Sequence, residues 1–276
     1  VTNVGASVVA IEELLDQAEE ALDRAAPEEA LRFADRALTF NSTHPGAWFV
    51  RGDALRALSR DSEAAEAYRS AALADPGHSS SWAALSTTCF DLLRFDEASR
   101  AAARALREDP RNPEAWWARS LLLEWKGDKA GRRRALTRAR WLEPDSFLVP
   151  HSLSDEVVED IVEEAVGSLH PDLQAWLANV AILLEDLPRE EILRSYDPPA
   201  SPLDLLGYFS GHSLVDRSMD NPWSNLPPTI TLFRNNLERM AADREQIIEE
   251  LRITLFHEIG HFLGLDEEDL AERGLD

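Results

Sequence analysis

Through the first 146 residues, apolar and small side chains recur three and four positions apart, with charged residues between them and few β-branched ones. That spacing puts the apolar set on one face of a helix, so the stretch predicts one helix after another. A longer rhythm overlies it. Trp48, Trp82 and Trp116 stand 34 residues apart, and Pro76, Pro110 and Pro144 take the same step. Small residues keep the register, since Gly52, Ala64 and Ala71 of one unit become Ser86, Ala98 and Ala105 of the next. A first unit, lacking the Trp and Pro, runs through Leu14, Ala18, Ala21, Ala30, Ala34 and Ala37. A fourth runs through Trp116, Ser120, Leu136 and Ala139 but has Arg132 where a small residue is expected. Small residues let the two helices of a hairpin approach, bulky ones fill the space between hairpins, and each proline ends a second helix.

A 34-residue period of this kind resembles the tetratricopeptide repeat. The expectation is an α-solenoid of four hairpins, eight helices, over residues 11–146. The first helix of each unit usually lines the inner side of such a solenoid, which makes Phe49, Arg56, Phe90, Trp117, Leu121 and Trp125 candidates for a peptide groove holding a protein partner. The set of Lys and Asn side chains with which some repeats clamp a terminal carboxylate is missing, which disfavours a chaperone-tail ligand.

After Pro144 the rhythm stops, and a second domain is expected over 153–276. Ser154, followed by Asp155 and Glu156, reads as a helix start whose apolar face is Val157, Val158, Ile161, Val162, Ala165 and Leu169. Strands are expected at 179–185, at 203–209 and at 228–233, with a loop-rich stretch over 195–228. One long helix should then run from about Asn236 to Leu263, with Leu237, Met240, Ile247, Ile248, Leu251 and Leu255 turned to the core. The fold class is therefore mainly α, a solenoid followed by a small α+β domain.

Charge and cysteine content narrow the setting. The 28 basic and 51 acidic side chains give a net charge of −23, which argues against nucleic acid and favours basic partners. No run reaches the roughly 20 apolar residues that span a bilayer, and no export signal is visible at the start. Cys89 is the only cysteine, expected as a buried thiol in a cytoplasmic protein.

The candidate chemistry lies near the end, in His257-Glu258-Ile259-Gly260-His261, with Gly264 three residues on. Four residues apart on a helix, His257 and His261 share a face and can offer two imidazole nitrogens to one metal ion, while Glu258 stands about 100° round, placed as a general base. Zn2+ suits such a site because three protein ligands leave a fourth position for water, whose pKa the metal lowers. Gly264 can turn the chain back, and the extended spacing puts the third ligand at Glu267, with Asp266 as runner-up. His44, His78, His151 and His170 lie outside this motif and read as surface or turn residues.

With this motif in place, residues from about 155 onward resemble the minimal zincin-like metallopeptidases, through H-E-x-G-H-x-x-G, Asn179-Val-Ala-Ile, Gly211 to Arg217, and Leu226-Pro-Pro-Thr-Ile-Thr-Leu-Phe-Arg234. The resemblance implies a small twisted sheet, an active-site helix and an edge strand along which a peptide lies extended. It carries metal binding onto His257 and His261, the base onto Glu258 and the third ligand onto the acidic cluster at Glu267. Phe209 stands where a Tyr is expected, and Glu267 where Asp is commoner. Other zinc peptidases fit less well: few residues follow His261, and both methionines, Met219 and Met240, precede it, leaving none for a Met-turn. Tyr208, His212 and Arg217 are candidate assistants. The expected function is a cytoplasmic zinc metallopeptidase whose repeats bind protein partners or substrates. The alternative is a tetratricopeptide adaptor with a weak or structural zinc domain.

Overall fold

The computed structural model describes residues 2–147, 152–212, 228–241 and 243–272, the side chains of 2–7, 267 and 272 excepted. The chain divides into two units, Val1–Leu148 and Val149–Asp276.

In the first unit, eight helices follow one another: α1 (Thr2–Asp23), α2 (Pro27–Phe40), α3 (Pro45–Ala57), α4 (Asp61–Ala74), α5 (Ser79–Asp91), α6 (Phe95–Glu108), α7 (Pro113–Trp125) and α8 (Lys129–Leu142). They pair as four hairpins, and the small positions are where the partners meet. Ala30, Ala34, Ala64, Ala71, Ala98 and Ala105 are fully buried. At Gly52 an added β-carbon would sit 2.5 Å from the Tyr68 ring, so the ring lies flat on bare backbone. Ser86 fills the equivalent place in the next hairpin and donates its hydroxyl to the Ala98 carbonyl at 2.8 Å.

The shared period of Trp and Pro has a local cause. Each Trp indole donates to a carbonyl six residues earlier, in the turn before its own helix: Trp48 to Ser42 at 2.9 Å, Trp82 to Pro76 at 3.1 Å, and Trp116 to Pro110 at 2.9 Å. Arg132, out of pattern, is accommodated because its guanidinium lies 3.2 Å from the buried Glu124 carboxylate. Cys89 is buried, and burial pushes its thiol up to about 12, out of nucleophilic range.

In the second unit, α9 (Asp155–Gly167) and α10 (Pro171–Leu177) lead to β1 (Ala181–Glu185), followed by α11 (Glu190–Leu193), β2 (Gly207–Ser210), β3 (Thr229–Phe233), α12 (Arg234–Met240), α13 (Arg244–Leu263) and α14 (Glu267–Glu272). Among the described residues the sheet has the order β1-β3-β2, with β1 parallel and β2 antiparallel to β3. Ile230 and Leu232 of the central strand share a core with Val158 and Ile161 of α9 and with Ile247, Leu251, Leu255, Ile259 and Phe262 of α13.

The expected single helix after β3 is broken. Asp243 is extended (φ −147°, ψ 177°) and its carboxylate accepts the Gln246 amide at 2.9 Å, restarting the helix as α13. Met240 therefore ends α12 at 63% exposure and does not join the core. The second strand is shorter than expected, since residues 203–206 form its approach, and α10, α11 and α14 were not expected as helices. Among the described residues no helix is long and apolar enough to cross a membrane.

Candidate metal centre

Helix α13 presents its site because the face beside it is anchored. Ile247, Leu251, Leu255 and Phe262 are at most 1% exposed, which fixes the rotation of the helix against the sheet. His257 and His261 are half-buried on another face, their rings near-perpendicular with centroids 4.7 Å apart. Their Nε2 atoms converge to 3.1 Å, a separation that either an N–H···N hydrogen bond or a shared cation satisfies. Two zinc–nitrogen bonds of about 2.0–2.1 Å at a tetrahedral angle would place the nitrogens about 3.3 Å apart, so the pair fits zinc.

The other nitrogen of His261 decides its tautomer. Nδ1 lies 3.1 Å from the Leu265 carbonyl, which can only accept, so Nδ1 carries the proton and Nε2 offers its lone pair inward. That carbonyl is delivered by Gly264, whose φ of 92° is left-handed and ends the helix, with Leu265 N bonding back to the Gly260 carbonyl at 3.0 Å. Glu258 is 6% exposed, buried beside the pair.

Asp266 is exposed and serves as a helix cap, its Oδ1 accepting the Asp269 amide at 2.9 Å, so the runner-up third ligand is already engaged in holding α14. Glu267 opens α14, and its side chain lies outside the described residues. Among the described residues, no group of three or more His, Cys, Asp or Glu side chains is poised around one point.

Of the candidate assistants, Tyr208 lies on the wrong face. Gly207 and Phe209 face α13, Phe209 meeting the Phe262 ring at 6.0 Å, so the pleat turns Tyr208 to the opposite side of the sheet. His212 comes two residues after the end of β2, and Arg217 falls outside the described residues, as does most of the Gly211 to Arg217 segment. His44 and His170 cap helices and His78 bonds Ser81 in a turn, while His151 lies outside the described residues.

In the repeats, Phe90 and Leu121 are 1% and 2% exposed and so belong to the core; they line no groove. Phe90 lies against Phe95 and Trp125, the latter two stacked at 4.5 Å. Phe49, Arg56, Trp117 and Trp125 keep part of their surface. Arg56 reaches the next hairpin, donating to Thr88 and Asp91 at 3.0 Å each.

Three features of the site were not foreseen. Gly260 lies inside α13, and a β-carbon there would meet the fully buried Leu270 side chain at 2.3 Å, so the glycine is what lets α14 pack on the metal helix. Gly207 meets the same helix from another side, and Asn236 of α12 holds the approach to β2; both are taken up below. A glycine in mid-helix costs about 1 kcal/mol against alanine, which was the one sequence signal that Gly260 had a packing role.

No curated relative matches the chain. Similar solved structures include a tetratricopeptide protein of Thermus thermophilus, TTC0263 (19% identity, 61% of this chain and 87% of that one, TM-score 0.45). MamA of Desulfovibrio magneticus RS-1 is 18% identical over 50% of this chain and 77% of that one, with a TM-score of 0.43. The Arabidopsis OM64 tetratricopeptide domain is 22% identical over 43% of this chain and 98% of that one, with a TM-score of 0.41. Residues 177–275, which hold the sheet, α13 and the histidine pair, match the zincin-like metallopeptidase family. The chain thus joins a run of helical hairpins with a 34-residue period to a region, residues 177–275, that is similar to the zincin-like metallopeptidases.

Proposed function

We propose that the protein is a zinc-dependent metallopeptidase of the cytoplasm whose repeats bring in a protein substrate or partner. The observation that carries this reading is the convergence of the two Nε2 atoms at 3.1 Å, with Nδ1 of His261 held by Leu265 and a buried carboxylate one residue from His257. His257 and His261 would hold the ion through Nε2, and Glu267 is the third ligand we favour because α14 starts with it directly after the turn at Gly264. When bound, zinc supplies Lewis acidity towards the scissile carbonyl and towards water.

The remaining work falls to the chain. Glu258 takes a proton from the attacking water and returns it to the leaving amine, the two-step role for which a buried, single-direction carboxylate is suited. Its burial keeps bulk solvent away from the transferred proton. Tyr208 has no part in this, because the pleat faces it away. Support for protein recognition by the repeats comes from Phe49, Arg56, Trp117 and Trp125, which keep part of their surface. The single, buried Cys89 suits the cytoplasm.

The test is cleavage of a proteome-derived peptide mixture by the zinc-loaded protein, read as new termini by mass spectrometry. Glu258→Gln should bind a full equivalent of zinc and yield none of them. Identical termini from both proteins would refute the role of Glu258. Retention of the zinc equivalent by His257→Ala would refute the metal site.

A further inference from the structure

Strand β2 meets the metal helix at a residue with no side chain. A β-carbon built on Gly207 would lie 2.7 Å from Thr254 Cγ2, 2.8 Å from Glu258 Oε1 and 2.9 Å from Glu258 Cγ. Ordinary carbon contacts are about 3.5–4.0 Å, so every one of these would be an overlap. Thr254 and Glu258 are one turn apart on α13 and each 6% exposed, which makes them the two walls of a notch. The backbone of β2 at Gly207 fills that notch.

The strand is held there from behind. Asn236 is fully buried; its Nδ2 donates to the carbonyls of Pro202 at 2.9 Å and Leu205 at 2.7 Å, and its Oδ1 accepts from Arg239 at 2.7 Å. The next carbonyl, of Leu206, accepts the Phe233 amide at 2.8 Å. The peptide unit entering Gly207 is thereby fixed by the sheet and the unit before it by the side-chain clamp, while Phe209 anchors the same face on Phe262.

We propose that Gly207 is a positioning residue for Glu258: the bare backbone of β2 is the surface against which the carboxylate rests, and Asn236 keeps that surface at contact distance. This deepens the peptidase reading and rests on it. A glutamate has three rotatable bonds, and a general base must point one way. At 207 any side chain would take the room in which Glu258 Oε1 now lies. Misplacing a reacting group by about 1 Å can cost about a hundredfold in rate.

The test is Gly207→Ala in the full chain loaded with zinc. A full zinc equivalent should be retained while kcat falls about 10- to 100-fold and KM moves less than about threefold. A second measurement needs no catalysis. Thr254→Ser removes the other atom in the way and is carried in both arms of a thermal-stability cycle pairing Gly207→Ala with Glu258→Ala. Gly207→Ala should lower Tm when Glu258 is present and leave it nearly unchanged when Glu258 is truncated. If Gly207→Ala alone does not fold, the triple variant should restore folding. Equal Tm losses in both arms, no restoration of folding, or a kcat within twofold of wild type would each overturn the proposal. Coupling in Tm in a zinc-loaded protein that cleaves nothing would support the placement of Glu258 and count against the peptidase reading alone.

Discussion

Replacing Asp53 by asparagine should stabilise the repeats at neutral pH, which is unusual for the loss of a buried charge. Asp53 accepts the Tyr68 hydroxyl at 2.7 Å. Burial pushes its carboxyl up from 3.8 to about 6; the Tyr68 hydrogen bond and Arg56 oppose the shift, and Glu19 adds to it. Burial and the neighbouring Asp53 together push the Tyr68 phenol above its ordinary range, so it stays a donor. In the unfolded chain an aspartate titrates near 3.9. The folded form thus holds the proton more tightly, binds more protons between about pH 4 and 6, and loses stability as pH rises through that window. Two units at about 1.4 kcal/mol each give ~3 kcal/mol as an upper figure, and solvent access to the site brings the expected effect to about 1–3 kcal/mol. Asp53→Asn keeps an oxygen for Tyr68 and carries no charge, so its advantage over wild type should be small at pH 4 and grow to that size by pH 7. Hydrogen exchange of peptides from α3 and α4, followed from pH 4 to 7.5 and corrected for intrinsic rates, reads this locally. The other carboxylates cancel in the difference between the two proteins. An advantage that does not widen with pH, or a variant less stable at pH 7, would refute the argument.

Other outcomes follow from the same contacts. Gly260→Ala should destabilise the second unit by about 1–3 kcal/mol through overlap with Leu270 and weaken zinc binding in a chelator competition by displacing α14; Leu270→Ala in the same chain should restore part of the affinity. Gly264→Ala forces a left-handed φ of 92° on alanine and should cost about 1 kcal/mol in urea unfolding, with a further loss of zinc affinity because the Leu265 carbonyl moves off His261. Stripping zinc with a chelator should lower Tm in wild type and leave His257→Ala unmoved, since only a folded site binds the ion. Arg56→Ala removes the bonds to Thr88 and Asp91 and should cost about 1 kcal/mol, seen as faster exchange in α5.

The solenoid was legible because each of its determinants is a residue type at a fixed spacing. Trp48, Trp82 and Trp116 each close a turn six residues behind them, a local act repeated three times, and local acts leave periodic marks. Phe90 and Leu121 show where that reading fails. A large apolar residue on the inner helix is written the same way whether it lines a groove or packs on its neighbour, and only the hairpin beside it decides. In the second domain β3 was readable from its alternating β-branched run and β1 from a short apolar one. The break before α13 was not, because Asp243 caps a helix in a stretch whose apolar period continues through it.

The candidate site divides along the same line. His257, Glu258 and His261 share one helix, so their geometry follows from helical pitch and could be read directly. What fixes the directions of His261 and Glu258 comes from elsewhere in the chain, the Leu265 carbonyl from a turn and β2 through the absent side chain of Gly207, while Gly260 seats α14 on the same helix. A glycine that matters for what it leaves open gives no periodic signal, and its partner is named only by the fold. The helix supplies donors at a spacing many amphipathic helices could reach by chance. The two glycine contacts, one on each side of α13, and the carbonyl beyond Gly264 are what distinguish a bare helix with two histidines from one in which an imidazole and a carboxylate have a set direction. For that reason the variants at 207 and 260 probe the reading more sharply than those at the histidines, whose loss would abolish zinc binding at any two-histidine site.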